Sequence, residues 1–118
     1  MSSRWYTVVI DAKDPAALAR FWAAVFDYEV VYEASDEVVI AQDEDTYPAL
    51  VFVPVPENKT VKNRLHIDLN PDDRDAEVDR LIGLGARRVD VGQGDDKTWV
   101  VLADPEGNEF CVLRAREQ

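Results

Sequence analysis

The chain has 118 residues, enough for one domain that buries roughly 65% of the unfolded chain's surface without a disulfide or metal staple. Its 47% hydrophobic and 31% charged residues exclude a disordered polyelectrolyte, and a single cysteine, Cys111, excludes an internal disulfide. Acidic residues number 24 against 13 basic, a net charge of −11, which argues against nucleic-acid partners because phosphate affinity depends on Lys and Arg displacing counterions.

The opening MSSRWYTVVI has no basic region followed by an apolar stretch, and no apolar run approaches the ~20 residues of a membrane span. A cytoplasmic location and no membrane partner are the expectation. Residues 5–11, rich in β-branched and aromatic side chains, read as a strand. Asp14 can cap the helix that follows, with Pro15 pre-organised at its first position and Leu18, Phe21, Trp22, Val25 and Phe26 forming one apolar stripe. Strands are predicted at 28–33, 37–41 and 49–55, separated by acidic turns, which gives β-α-β-β-β.

Pro54, Pro56 and Asn58 then break the pattern and make 56–63 a linker between a first module at about 4–55 and a second at about 64–116. The second repeats the plan. Residues 64–69 alternate, a helix runs over 72–84 with Gly85 as its cap, and strands are predicted at 88–91, 98–103 and 109–114. The last two are joined by Asp104-Pro105-Glu106-Gly107-Asn108, in which proline fixes one backbone angle and glycine permits a positive one. Particular residues also return about 56 positions later: Ile10-Asp11 as Ile67-Asp68, Asp14-Pro15 as Asn70-Pro71, and Phe21, Ala24 and Val25 as Val78, Leu81 and Ile82. The expected fold is a single α+β domain over 1–118, two tandem βαβββ modules forming a curved mixed sheet with the helices on its outer face and a cavity on the other.

The period of two sends Leu65, Ile67 and Leu69 to the face beneath the second helix and His66 and Asp68 to the cavity. Glu109, Cys111 and Leu113 share one face of the last strand, as do Trp5, Thr7, Val9 and Asp11 in the first and Val51 and Val53 in the fourth. Trp5 and Trp99 are candidate stacking walls, whereas Trp22 belongs to the helix stripe and so to the core. The acidic run 72–75 reads as a solvated helix start favoured by the helix dipole.

The paired modules, the phrase LHIDL at the start of the second, the closing WVVLADPEGNEFCVL and the preceding KTVKNR together resemble the glyoxalase, bleomycin-resistance and extradiol-dioxygenase (vicinal oxygen chelate) superfamily, in its small bacterial glyoxalase-like branch. The resemblance covers essentially the whole chain. It implies a homodimer and, in the enzymes of that superfamily, a divalent metal held by His, Glu or Gln side chains at positions that correspond here to Thr7 or Val9, then Val53, His66 and Cys111. Of these only His66 is a normal ligand in its usual place. Glu109 lies two residues before the expected carboxylate position and would need a register shift. A metal-ligand set is therefore not expected, because metal chemistry needs about three converging donors.

His66 has two readings, a pocket-lining group or a hydrogen-bonded histidine without a functional role. Cys111 likewise is either a small inert hydrophobe or half of a Cys-His nucleophile pair. The expectation is that Thr7, Val53, His66, Trp99 and Cys111 line a cavity that binds a small organic molecule, aromatic or cationic, with no metal or other cofactor. The alternative is a glyoxalase-type lyase or isomerase using a metal completed by Glu109 or a partner subunit, or using His66 as a metal-free acid/base. A third reading is an interaction domain with a vestigial cavity.

Overall fold

The computed structural model describes residues 2–89 and 99–114, and the chain divides into two compact units, 1–58 and 59–118. In the first unit β1 (Thr7–Ala12), α1 (Pro15–Phe26), β2 (Glu29–Ala34), β3 (Glu37–Ala41) and β4 (Ala49–Pro54) follow one another. In the second the same order recurs as β5 (Asp68–Leu69), α2 (Arg74–Leu84), β6 (Arg87–Arg88), β7 (Val100–Ala103) and β8 (Glu109–Val112). The sheets run β1-β4-β3-β2 and β5-β8-β7-β6, and in each the first and last strands of the module pair in parallel while the others are antiparallel. The fold is therefore α+β with two tandem βαβββ modules and two four-stranded mixed sheets.

Helix α1 forms where the apolar stripe predicts. Asp14 accepts a hydrogen bond from the Ala17 amide at 3.2 Å, Pro15 occupies the first turn, and Leu18, Ala19, Phe21, Trp22 and Val25 are buried. The helix packs on all four strands of its sheet, above Ile40 and Phe52, which are fully buried. Its end is unusual. Asp27 takes the left-handed conformation at φ 58°, the role glycine plays at Gly85, and donates its amide to the Ala23 carbonyl.

The second helix corrects one detail of the repeat. Its cap is Asp73, whose side chain accepts from the Ala76 amide at 3.1 Å, so it starts two residues after the expected 72 and Pro71 lies in the loop before it. Asp14 and Asp73 are thus the equivalent caps, whereas Asp11 in β1 and Asp68 in β5 stay equivalent. The extra residues sit between strand and helix in the second module. With the caps aligned, Ala19 and Trp22 correspond to Val78 and Leu81, all four buried, while Ile82 is exposed.

Strand β5 is much shorter than the predicted 64–69. Asn63 causes this: its side-chain oxygen accepts from the Glu109 amide at 3.1 Å, and its side-chain nitrogen donates to the carbonyls of Leu65 and Glu109. A side chain thus occupies the edge of β8 where a strand backbone would have paired, and regular alternation begins only downstream. Leu65 is consequently 84% exposed instead of lying beneath a helix, while Leu69 is buried as expected. The predicted strand at 88–91 is realised as Arg87–Arg88, its residues from 90 on lying outside those described, as does Thr98 of the strand predicted at 98–103.

Candidate functional site

One face of the second sheet collects the polar chemistry of this unit, and the strand register explains why. Cys111 is the register partner of Asp68 in β5 and of Val101 in β7, so these three side chains form one row across the sheet. Alternation then adds His66, one pleat before Asp68, Trp99, one pleat before Val101, and Glu109 and Leu113 on either side of Cys111. All seven, with Lys62 and Phe110, line one cavity of about 380 Å³. The parallel ladder that fixes the row is completed by amides of Cys111 and Leu113 donating to the carbonyls of Ile67 at 3.0 Å and Leu69 at 2.8 Å.

The β7–β8 register is in turn held by Asp104, which is buried and accepts from the amides of Glu106 at 2.9 Å and Asn108 at 3.0 Å and from the Asn108 side chain at 2.9 Å. Gly107 supplies the positive φ of 90° that closes this turn. A buried carboxylate with this many donors substitutes hydrogen bonds for lost hydration.

Within the cavity Asp68 stands between His66 and Cys111. The His66 Nε2 lies 3.1 Å from Asp68 Oδ1, and the two side chains are about half exposed. Burial pushes the Cys111 thiol above its ordinary value, and the Asp68 charge and the hydrogen bond between thiol and carboxylate push it the same way, with Lys62 opposing. A nucleophilic cysteine needs an adjacent base or a cationic field to release its proton. The carboxylate at the centre of this trio has the opposite effect and adds to that of burial.

Glu109 is committed elsewhere. Its carboxylate lies 3.0 Å from Lys59 Nζ and accepts from the Asn63 amide at 3.4 Å. Burial works to raise this carboxyl, yet the hydrogen bonds from Lys59, from its own amide and from that of Asn63, together with the Lys59 charge, carry it below the usual range. The ion pair fastens residues 59–63 to β8 and engages the Glu109 carboxylate.

Of the residues singled out from the sequence, His66, Trp99 and Cys111 share this cavity. Thr7 and Val53 belong to the first unit, half-buried, where Thr7 pairs with Ala49 and Val53 with Asp11 in the β1–β4 ladder. Trp5 precedes β1 and is 66% exposed, while Trp22 is in the core. The metal positions that the resemblance implies do not fit a metal, since Val53 ends in methyl groups and offers no donor. Asp68 was placed on the cavity face by sequence reading but not counted among the ligand contacts. Its alternation with His66 was visible, but its register opposite Cys111 depends on a parallel pairing between residues 43 apart in sequence (68 and 111). With it, His66, Asp68 and Cys111 each direct one donor atom into a cluster spanning no more than 4.8 Å.

No curated protein matches the sequence. A sequence model of the glyoxalase-like domain family matches residues 7–113. Among solved structures, the chain is similar to a glyoxalase/bleomycin resistance protein/dioxygenase family enzyme from Burkholderia phytofirmans, with 21% identity and a TM-score of 0.68 over 93% of this chain and 97% of that one. It is similar to the fosfomycin resistance protein FosX of Mesorhizobium loti, with 18% identity and a TM-score of 0.69 over 98% and 94%. The trypanothione-dependent glyoxalase I of Leishmania major follows, with 14% identity and a TM-score of 0.66 over 96% and 87%. At these identities the likeness concerns the fold, which in this superfamily serves both enzymes and resistance proteins.

Proposed function

Since the chain belongs to the glyoxalase-like domain family, we propose that it is a small-molecule-binding protein of that superfamily, a single domain over 1–118 whose ligand enters the cavity of the second unit. The observation that carries this reading is the lining: an apolar floor of Val101 and Leu113 beside the Trp99 indole, with His66, Asp68 and Lys62 as a few convergent polar groups. The volume of about 380 Å³ suits a compact organic ligand. An aromatic or cationic molecule fits best, because indole faces attract both and Asp68 adds a partly exposed negative charge. The net charge of −11 draws cations toward the protein from a distance.

Thr7 and Val53 are proposed as further contacts of a ligand, following the resemblance. The same resemblance supports a cytoplasmic homodimer, and the first unit exposes Trp5, Tyr6, Val9, Tyr32 and Tyr47, which a second copy would cover. Among the described residues no helix is long and apolar enough to cross a membrane.

A thermal-shift screen of aromatic and cationic compounds, followed by titration of the best against Trp99 fluorescence, tests the reading. Saturable stabilisation that weakens in Trp99→Ala supports it. Turnover of a glyoxalase-type substrate that disappears in His66→Ala would replace it with the lyase or isomerase alternative, in which His66, oriented by Asp68, acts as acid/base.

A further inference from the structure

We propose that the cavity of the second unit takes an amphoteric aromatic molecule of the α-amino-acid class, with its ammonium on Asp68, its carboxylate on Lys62 and its ring against Trp99. This rests on the binding reading above and names the class of ligand within it.

The charges carry the first part. Besides Cys111, the ionisable side chains that line the cavity are Lys62, His66, Asp68 and Glu109. Glu109 is matched by Lys59 at 3.0 Å and presents no net charge to a ligand. Asp68 is about half exposed, and its contacts with the His66 Nε2 and the Cys111 thiol leave carboxylate lone pairs open for an ammonium. Lys62 is exposed and has no carboxylate partner among the described residues, although acidic residues outnumber basic ones 24 to 13. An unmatched ammonium at a cavity wall receives the anionic group of a ligand through charge-assisted hydrogen bonds. The net charge of −11 repels a plain carboxylic acid from a distance, whereas a molecule that carries both charges meets no net repulsion.

The strand register sets a charged end apart from an apolar one. His66 and Glu109 lie one pleat to one side of the Asp68–Cys111–Val101 row, and Trp99 and Leu113 lie one pleat to the other. Asn63 is bonded to the Glu109 backbone, which brings its neighbour Lys62 to the charged end, near enough for its charge to act on the Cys111 thiol. Since β5 and β7 flank β8, the backbones at Asp68 and Trp99 stand about 12 Å apart. Once both side chains reach inward, that gap holds one ring joined to its charged head by a short methylene link. The head then lies between Asp68 and Lys62, and the ring covers Val101 and Leu113 beside the indole.

The test is calorimetric titration of the full chain with L-phenylalanine and L-tryptophan, beside 2-phenylethylamine, which lacks the carboxylate, and 3-phenylpropanoate, which lacks the ammonium. An amino acid should bind at one site, about 10-fold or more tighter than either of the simpler compounds. Lys62→Ala should erase its advantage over the amine, and Asp68→Asn its advantage over the acid, with unchanged circular dichroism spectra. If Asp68→Asn does not fold, Lys62→Ala, which breaks no ion pair among the described residues, decides. Amino acids that bind no tighter than the amine or the acid overturn the proposal, as does an advantage that survives in Lys62→Ala. If other aromatic or cationic compounds bind saturably and neither amino acid does, this inference fails and the binding reading stands. If no compound binds, both fail.

Discussion

Asp68 and Cys111 face each other across the parallel β5–β8 ladder, and the carboxylate is hydrogen-bonded to the thiol and raises its pKa. Asp68→Asn removes a negative charge that opposes ionisation, so the thiol pKa should fall. At pH 7.5 the thiolate fraction, and with it the iodoacetamide rate, should rise. An unchanged rate profile against pH would show that burial alone sets the thiol.

The Lys59–Glu109 pair predicts a pH effect of definite sign. The folded pKa of Glu109 is depressed, so its contribution is fully present above the ordinary value of 4.5 and is lost as pH falls below it through the folded value. Glu109→Gln should be less stable than the native chain at pH 7 by about 1 kcal/mol, allowing for a pair that is mostly but not fully buried. The difference should shrink in urea titrations as pH drops below 4.5.

Asp104→Ala should destabilise the second unit strongly. It strands the Glu106 and Asn108 amides and the Asn108 side chain in the hairpin turn, at a cost of about 3 kcal/mol in urea unfolding. Asp104→Asn, which retains an acceptor, should cost less.

Trp99→Ala should weaken an aromatic or cationic ligand by about 1–2 kcal/mol, the scale of a desolvated cation–π contact. Under the binding reading His66→Ala changes affinity alone, which titration of both variants with the same ligand would reveal.

Trp5→Ser with Val9→Ser removes two large exposed apolar groups of the first unit, at 66% and 57% exposure. If a second copy covers them, sedimentation should shift from dimer to monomer while the fold is retained.

Much of this arrangement was legible from residue order. The apolar stripe of α1, the Asp14 cap and the turn at 104–108 are local signals, and local signals carry both modules. The period of two also grouped His66 with Asp68 and Glu109 with Cys111, a grouping the cavity lining repeats. What stayed hidden was non-local. The face taken by Trp99 depends on Val101 pairing with Cys111, and the loss of strand at 64–67 depends on Asn63 reaching the Glu109 backbone. The expectation for Leu65 failed there because a side chain displaced the ladder that alternation presupposes. Asn70-Pro71 misled in another way: it repeats the wording of Asp14-Pro15 without its place at the helix start.

The parallel closure of each module has a consequence for synthesis. A first strand that pairs only with the last must wait on the ribosome until that last strand has emerged, and this delay is long compared with helix formation. The first unit can complete its sheet once β4 is made, with half of the chain still to come. In the second, Asp68 has no strand partner until Cys111 is translated, so a nascent chain stalled before residue 109 would carry His66 and Asp68 but no pocket.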